Sequence, residues 1–424
     1  QKGLKIVCLA VAIFAALLIV PSAITASSLP EEIYLVNGNT QVLDLELPFS
    51  VRLSSDEAVD VVKFNGNSLK DQDTYNLDEP ITISTEQTGT AEVTVDLLGL
   101  IPVKTVKVTV DEERSLVPGG ESIGVMLYTK GALVVGTMDM VNEAGEQVGP
   151  AKDAGIVPGD VIETVEGQEV ADADSLAEMV NSASGEQITL GIRRDDQLME
   201  VTVTPERDAE DGKVKRGVWV RDSTAGVGTL TFYDPSTGKI AGLGHSISDI
   251  DTGSALTVKD GEIIFSDIIE IVKGEAGEPG ALKGTFETGE EVIGNIEKNT
   301  DFGIFGTFEG DAGVMGESIP AASRDEVHTG DAELLCTLDD EGVKSYHCTI
   351  TKVTPQSSPD TKSFVIKIDD EELLSKTNGI VQGMSGSPVL QDGKLIGAVT
   401  HVFVDDPTQG YGIYIDWMLN EIAE

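Results

Sequence analysis

The residue best suited to nucleophilic chemistry in this 424-residue chain is Ser385, within the hexapeptide 383–388. Gly383 and Gly386 lie close to it on either side, and apolar residues precede and follow the hexapeptide. Glycine allows the sharp backbone turn that exposes a hydroxyl and points successive amide hydrogens at one place. We predict that Ser385 attacks a carbonyl and that the amides of Gly383 and Ser385 stabilise the oxyanion. An ordinary turn between two strands is the alternative interpretation of this motif alone.

A serine nucleophile needs a general base, and the chain contains four histidines. His245 lies between a glycine and a serine, after a predicted strand and before a polar loop, which suits a general base. His401 follows an apolar run and is interpreted as a structural histidine or a pocket wall. His328 and His347 lie in polar, surface-like stretches.

The base in turn needs an acceptor that orients its ring. Asp370 precedes Ser385 by fifteen residues, at the end of a predicted strand. We predict that it orients His245, while Asp369 points the opposite way if the strand continues. The alternative for both aspartates is a helix cap or a solvated turn ahead of residues 371–374.

The charge of the chain excludes one class of partner. It has 73 acidic and 29 basic residues, a net charge of −44, whereas nucleic-acid binding needs clustered Lys and Arg. The spacing of Cys and His matches no metal site, so we predict neither a metal nor another cofactor. Cys336 and Cys348 lie in two predicted short strands, and the sequence is compatible with either a disulfide between them or two free thiols.

The N-terminal part of the chain predicts export. Lys2 and Lys5 precede an uncharged apolar run over residues 6–20, which is typical of a secretory signal or a membrane anchor. We assign residues 1–30 to that segment and expect it to contact the membrane. Residues 31–112 contain short segments rich in Val, Ile and Thr, broken by turn signals, and predict a small β-sandwich that acts as a spacer or docking domain.

Residues 116–205 resemble a PDZ domain of the bacterial protease-associated kind. The resemblance rests on the Ala-Gly-x-x-x-Gly-Asp-x-Ile sequence at residues 154–162, followed by a predicted helix and two strands. PDZ domains bind an extended peptide by strand addition and hold its terminal carboxylate with backbone amides. We assign that role to Ile123, Gly124 and Val125. The alternative is that the domain only packs on its neighbour.

Residues 206–424 are rich in predicted strands, and their length suits the two β-barrels of a chymotrypsin-like protease. The loop at 383–388 is similar to the nucleophile loop of those proteases, and the chain order His, Asp, Ser also matches theirs. The predicted protein is therefore mostly β: a membrane segment, a β-sandwich, a PDZ domain and a double-barrel protease.

The resemblance becomes specific to one family in four stretches, together with the apolar N-terminus and a PDZ domain placed before the protease. The chain resembles the stage IV sporulation protein B (SpoIVB) peptidases of endospore-forming bacteria. The four stretches are Gly242-Leu243-Gly244-His245, residues 299–303, residues 383–388 and residues 397–404.

That resemblance implies a self-processing serine endopeptidase with His245, Asp370 and Ser385 in its site. It implies secretion from the forespore into the space between the two spore membranes. The enzyme would cleave a regulator of a membrane-embedded protease complex and so trigger activation of a late sigma factor. The PDZ domain would take part in self-cleavage and in targeting of the substrate.

Two other functions remain open at this point. One is a quality-control protease similar to the HtrA group, although those enzymes place the protease before the PDZ domain. The other is a peptide-binding adaptor whose protease domain is inactive, because the sequence alone does not prove that His245, Asp370 and Ser385 converge.

Overall fold

The computed structural model describes residues 32–37, 40–43, 50–54, 62–68, 73–76, 80–85, 87–97, 101–182, 187–194, 197–286, 292–311, 316–356 and 358–423. The predicted signal or anchor at residues 1–30 lies outside these ranges. Across the ranges described, no helix combines the length and the apolarity that crossing a membrane would take. The chain forms two compact units. The N-terminal unit is Gln1–Ser115, Pro320–Val327 and Pro355–Pro359, and the main unit is Leu116–Ile319, His328–Thr354 and Asp360–Glu424.

The N-terminal unit contains two β-sheets. Alternate residues are buried in Ile81–Thr85, because side chains of a strand point to opposite faces in turn. One sheet has the order β1-β9-β8-β3-β6 and the other β2-β7-β4-β5. The strands are β1 (Glu32–Val36), β2 (Thr40–Leu43), β3 (Ser50–Ser54), β4 (Val62–Phe64), β5 (Asn67–Ser68), β6 (Asp73–Asn76), β7 (Ile81–Thr85), β8 (Gly89–Leu97) and β9 (Ile101–Asp111).

A short 3-10 helix (Arg324–Glu326) belongs to the N-terminal unit, and the main unit contains most of the remaining elements. The helices of the main unit are α1 (Pro150–Asp153), α2 (Ala173–Ser182), α3 (Glu371–Thr377) and α4 (Ile415–Ala423). The strands in the first half of this part are β10 (Ser115–Pro118), β11 (Ser122–Thr137), β12 (Met140–Val141), β13 (Gln147–Val148), β14 (Val161–Val165), β15 (Gln168–Glu169), β16 (Ile188–Arg194), β17 (Gln197–Val203), β18 (Glu206–Arg207), β19 (Val214–Lys215), β20 (Val218–Asp234), β21 (Lys239–Gly242) and β22 (Val258–Phe265). The later strands are β23 (Asp267–Val272), β24 (Ala281–Thr285), β25 (Val292–Asn295), β26 (Lys298–Thr300), β27 (Gly303–Thr307), β28 (Ile319–Pro320), β29 (Gly330–Thr337), β30 (Val343–Val353), β31 (Phe364–Ile368), β32 (Pro388–Gln391), β33 (Lys394–Phe403) and β34 (Asp406–Tyr414).

The PDZ-like lobe forms around one apolar cluster. Strands β17, β16, β14, the second half of β11 and the first half of β20 are neighbours in its sheet. Helix α2 places Leu176 and Val180 against this sheet, at the four-residue spacing that keeps side chains on one helix face. The buried members of the cluster are Ala132, Val134, Ala151, Ile156, Ile162, Val165, Val170, Leu176, Val180, Ile188, Leu190, Ile192 and Val203.

The first barrel of the protease is a ring of six strands, β11-β20-β21-β27-β25-β22. The ring closes between β25 and β27 only through an isolated bridge, Gly294 to Phe308, so this barrel is partly open there. Its core contains Ile123, Val125, Leu230, Ile240, Ile263 and Ile304 among other apolar residues. Strands β11 and β20 are long enough to run from this barrel into the PDZ-like lobe, which the sequence prediction had not foreseen.

The second barrel is closed and has the order β29-β30-β31-β34-β33-β32. Cys336 and Cys348 lie inside it as free, buried thiols, and burial raises the pKa of each to about 12. Of the two states left open for these cysteines, the structure contains the free thiols. The predicted double barrel is thus present as one closed and one partly closed barrel.

Candidate active site

The loop that carries Ser385 is a tight turn before β32. Gly383 and Gly386 have φ angles of +96° and +93°, in the region where a side chain is disfavoured. Inside the turn, the Ser387 amide donates to the Met384 carbonyl at 3.0 Å. The Ser385 hydroxyl donates to the Thr400 carbonyl at 3.1 Å. The loop therefore holds its serine beside strand β33, with the hydroxyl on the wall of a cavity.

Two threonines of β20, in the first barrel, bind this loop of the second barrel. The Thr229 hydroxyl donates to the Gly383 carbonyl at 2.7 Å, and the Thr231 hydroxyl donates to the Gly386 carbonyl at 2.8 Å. The Thr229 amide also donates to the Ser385 carbonyl at 3.0 Å. Both threonines are almost fully buried, with 2% and 0% exposure. The nucleophile loop is thus fixed by both barrels.

The amides of Gly383 and Ser385 are available for a ligand. Within the described part of the chain, neither donates a hydrogen bond, whereas the Gly386 amide donates to the Val399 carbonyl at 2.8 Å. Backbone amides without an acceptor beside a nucleophile are what an oxyanion requires.

His245 reaches the same cavity from the turn after β21. Leu243 and Gly244 both have positive φ angles, +70° and +68°, and reverse the chain just before the histidine. A β-carbon at Gly386 would lie 2.2 Å from the Thr229 carbonyl oxygen and 2.4 Å from the Leu243 amide nitrogen. The nucleophile loop and the histidine turn are therefore in direct backbone contact, and only glycine fits at residue 386.

The cavity has a volume of about 570 Å³ and brings together Ser385, Gly383 and His245. His245 Nδ1 lies 2.8 Å from the Ser246 carbonyl oxygen. Its ring packs on that of His401, with 5.4 Å between ring centroids. Desolvation, helped by the nearby His245 and Lys362, lowers the pKa of His401. The lining residues are Val125, Thr224, Ala225, Gly226, Val227, Leu243, His245, Ser246, Ile247, Ser248, Ile250, Ile380, Val381, Gln382, Gly383, Ser385, Thr400, His401 and Val402.

Asp370 does not belong to this group, which corrects its assignment as the acid that orients His245. Its carboxylate caps helix α3 and accepts from the Leu373 amide at 2.9 Å, the role of an N-cap residue. It also accepts from the His347 amide at 3.3 Å. Asp369 is bound to the His347 ring at 2.5 Å, so both aspartates serve contacts outside the cavity.

The assignment of Ile123, Gly124 and Val125 to peptide binding is also corrected. These residues lie in β11, which pairs with β20 along one edge and with β22 along the other. Because both edges are hydrogen-bonded within the chain, no peptide strand can be added here. A β-carbon at Gly124 would also lie 2.3 Å from the Phe286 ring.

The PDZ-like lobe has a free strand edge elsewhere. Among the described strands, only β11 pairs with the Val218–Asp222 half of β20. Helix α2 lies close by, since the Ala173 amide donates to Asp222 Oδ2 at 2.8 Å. Arg216 precedes this segment and is 9% exposed, and its Nη1 has no hydrogen-bond partner in the described ranges. Burial lowers its pKa to about 10.

Sequence reasoning missed Thr229, Thr231, Arg216 and Ser246. For the two threonines a signal exists: they alternate with apolar residues in a strand otherwise rich in buried side chains. Their position on one face of that strand could have indicated buried polar groups with a structural partner.

Comparison with known proteins identifies this domain. Residues 212–419 match the SpoIVB peptidase S55 family, and residues 143–194 match a PDZ domain. Residues 212–419 therefore belong to the SpoIVB peptidase family. The predicted resemblance to these peptidases is thus confirmed.

More distant relatives share part of the chain. Probable periplasmic DegP-like serine endoproteases of Brucella suis and Brucella abortus are 30% identical over 232 residues, covering 51% of this chain and 44% of theirs. The chain thus spans less than half the length of these relatives. The active form of the Rv3671c protease from M. tuberculosis has 14% identity and a TM-score of 0.30 over 47% of this chain and 74% of its own. The HtrA-type protease AlgW with decapeptide has 14% identity and a TM-score of 0.27, and the match covers 48% of this chain and 53% of AlgW. Neither of these two structures is close enough to bear on the assignment.

Proposed function

We propose that this SpoIVB-family peptidase processes itself and cleaves a regulator of a membrane-embedded protease complex. It would act after export from the forespore, in the space between the two spore membranes, and would trigger activation of a late sigma factor. Membership of the family supports this role. The periplasmic location named for its Brucella relatives supports export.

In the proposed mechanism, Ser385 attacks the scissile carbonyl carbon while His245 accepts the hydroxyl proton. The amides of Gly383 and Ser385 bind the oxyanion, and His245 then returns the proton to the leaving amine. The observation that carries the proposal is the single cavity that holds the Ser385 loop, two amides without acceptors and the His245 turn. Thr400 holds the Ser385 hydroxyl in the resting arrangement, and a rotation about χ1 of Ser385 would release it.

The test compares the full chain with Ser385→Ala and His245→Ala. The unchanged protein should fragment itself and react with a labelled fluorophosphonate, and both variants should stay whole and unlabelled. Equal fragmentation of all three proteins would refute the assignment of the site. In an endospore-forming host, Ser385→Ala should also block late sigma factor activity, whereas normal activity would contradict the signalling role but not the chemistry.

For the PDZ-like lobe we propose that peptide termini bind along the Val218–Asp222 edge of β20, beside helix α2. A peptide strand would take the hydrogen-bonding positions that no described strand uses. Arg216 at the start of this edge supports a carboxylate ligand, because a buried guanidinium nitrogen without a partner is costly unless an anion pairs with it. Targeting of the protein substrate would use this edge.

A pool of random peptides with free C-termini, and the same pool amidated, tests the edge. The unchanged chain should prefer the free carboxylates, and Arg216→Gln should lose that preference while its Ser385 still reacts with fluorophosphonate. Arg207→Gln removes an exposed arginine of the same lobe and serves as the control. An unchanged preference in Arg216→Gln would refute the role of this residue.

A further inference from the structure

Among the residues that the structure describes, no acidic side chain lines the cavity around Ser385. Its lining contains only two residues with ionisable side chains, His245 and His401. Since Asp370 caps helix α3, the usual means of orienting a catalytic histidine is missing from the arrangement of the described residues. Two contacts to His245 remain, the Ser246 carbonyl and the ring of His401.

The Ser246 carbonyl determines which nitrogen of His245 carries the proton. A carbonyl oxygen can only accept, so the nitrogen 2.8 Å away, Nδ1, must be the one that donates. The other nitrogen, Nε2, then has a free lone pair and can take the proton of the Ser385 hydroxyl. A backbone carbonyl is neutral, however, and it contacts only one edge of the ring.

The second contact, His401, lies on the strand that also contacts the nucleophile. It lies in β33 opposite Tyr411 of β34. The preceding residue, Thr400, accepts from Ser385 through its carbonyl and donates from its hydroxyl to the carbonyls of Thr361 and Tyr411, both at 3.2 Å. The backbone that carries His401 is therefore the same stretch of β33 that positions the nucleophile.

We propose that His401 is a positioning residue, which holds the ring of His245 by packing on it and keeps it aligned with Ser385. This inference rests on the proposed function. In acylation, the Ser385 proton passes to His245 Nε2 as Oγ bonds to the carbonyl carbon, and His245 becomes cationic. A neutral ring beside it accommodates that charge, whereas a protonated His401 would repel it.

The surroundings of His401 favour its neutral form. The charged or titratable groups around it are His245 from the turn after β21, Lys362 from the segment before β31 and Tyr411 from β34. None is an anion, and desolvation lowers the pKa of His401 in the same direction as its electrostatic interactions with His245 and Lys362. The lowered pKa of His401 thus agrees with a role that requires the uncharged ring.

The test measures the rate of fluorophosphonate labelling of the full chain against pH. In His401→Ala the rate should fall by about 10- to 100-fold, the size expected when a catalytic group is misaligned by up to an ångström. His401→Phe keeps a flat ring of similar size and should recover most of the rate. It should also lose one of the two protonations that slow labelling in acid, so that its acid limb becomes less steep. His328→Ala, which removes an exposed histidine bound to Asp392, is the control.

Two results would overturn the inference: His401→Ala labelling at the rate of the unchanged chain, or His401→Phe as slow as His401→Ala with an unaltered acid limb. The first would make His401 part of the wall only, and the second would show that the ring's packing is irrelevant. These results differ from a failure of the proposed function, in which the unchanged chain itself would not label or Ser385→Ala would label equally.

Discussion

Gly386→Ala tests the contact between the nucleophile loop and the histidine turn. The new β-carbon would lie 2.2 Å from the Thr229 carbonyl oxygen and 2.4 Å from the Leu243 amide nitrogen. Heavy atoms that are not bonded prefer separations of about 3.5 Å, so one of these backbone segments must move by about 1 Å. Because Leu243 leads directly to His245, the movement separates the base from Ser385. A displacement of that size costs about 100-fold in rate.

The matched control is Gly393→Ala. Gly393 also has a positive φ angle, +76°, but a β-carbon there would have no heavy atom within 4 Å. Both substitutions place an alanine in a left-handed backbone conformation, which lowers the stability of either variant by about 1 to 2 kcal/mol. Only Gly386→Ala adds the collision in the site.

The assay is the rate of fluorophosphonate labelling, with thermal unfolding to establish that both variants are folded. Gly386→Ala should label about 100-fold more slowly than Gly393→Ala while melting in a similar range. If the two folded variants label at the same rate, the backbone contact does not set the distance between base and nucleophile. The geometric argument for the site would then be wrong.

Three further predictions follow from contacts near and away from the cavity. Thr229→Val removes the hydrogen bond to the Gly383 carbonyl and should lower the unfolding free energy by about 1 kcal/mol and slow labelling. The control, Thr337→Val, removes a hydrogen bond to the Gly120 carbonyl and should leave labelling unchanged. Equal labelling rates in the two variants would contradict a role for Thr229. Asp370→Ala removes the helix cap and should lose about 1 kcal/mol of stability. Asp370→Ser can cap the helix, so it should regain that stability and label at the normal rate. If a folded Asp370→Ser labels as slowly as His245→Ala, Asp370 is part of the active site after all. The hydrogen bond to Asp369 raises the pKa of His347, so the stability that His347 contributes is lost as pH rises. Burial raises the pKa of Asp369, but hydrogen bonds from Thr349 and His347 outweigh burial and leave that pKa lowered. The stability that Asp369 contributes is therefore lost as pH falls. The pair thus stabilises most between the ordinary values of 3.8 and 6.5. The loss of melting temperature in His347→Gln should accordingly be larger at about pH 5.5 than at about pH 9, and an equal loss at both would contradict the pairing.

The sequence predicted the parts of the site that depend on local structure. The glycines around Ser385 indicated a turn, and turns are set by the backbone preferences of a few adjacent residues. Asp370 failed because an aspartate at the end of a strand is equally an aspartate at the start of a helix, and α3 begins at Glu371. The local pattern contains no information about which carboxylates face the cavity.

The failure at Ile123–Val125 has a different cause. A glycine within a short apolar strand is typical of a strand whose free edge binds a peptide. It is also typical of a buried strand that is paired with neighbours along both edges. The residues that decide between these two are in β22, far along the chain, where Ile263 and Ile264 pair with Val125 and Gly124. The edge that remains open lies in β20 instead, past the point where the sequence had placed the end of the PDZ domain.

Strand β20 explains why the site could not be derived from either barrel alone. Its Val218–Arg221 segment pairs with the PDZ part of β11, and its later residues pair with β11 again inside the first barrel. Farther along the same strand, Thr229 and Thr231 bind the carbonyls of the nucleophile loop, which belongs to the second barrel. The Ser385 loop is also hydrogen-bonded to β33, so its shape depends on contacts from both barrels. The geometry of Ser385 therefore depends on the first barrel as well as on the second, and no local sequence pattern around residue 385 encodes these contacts.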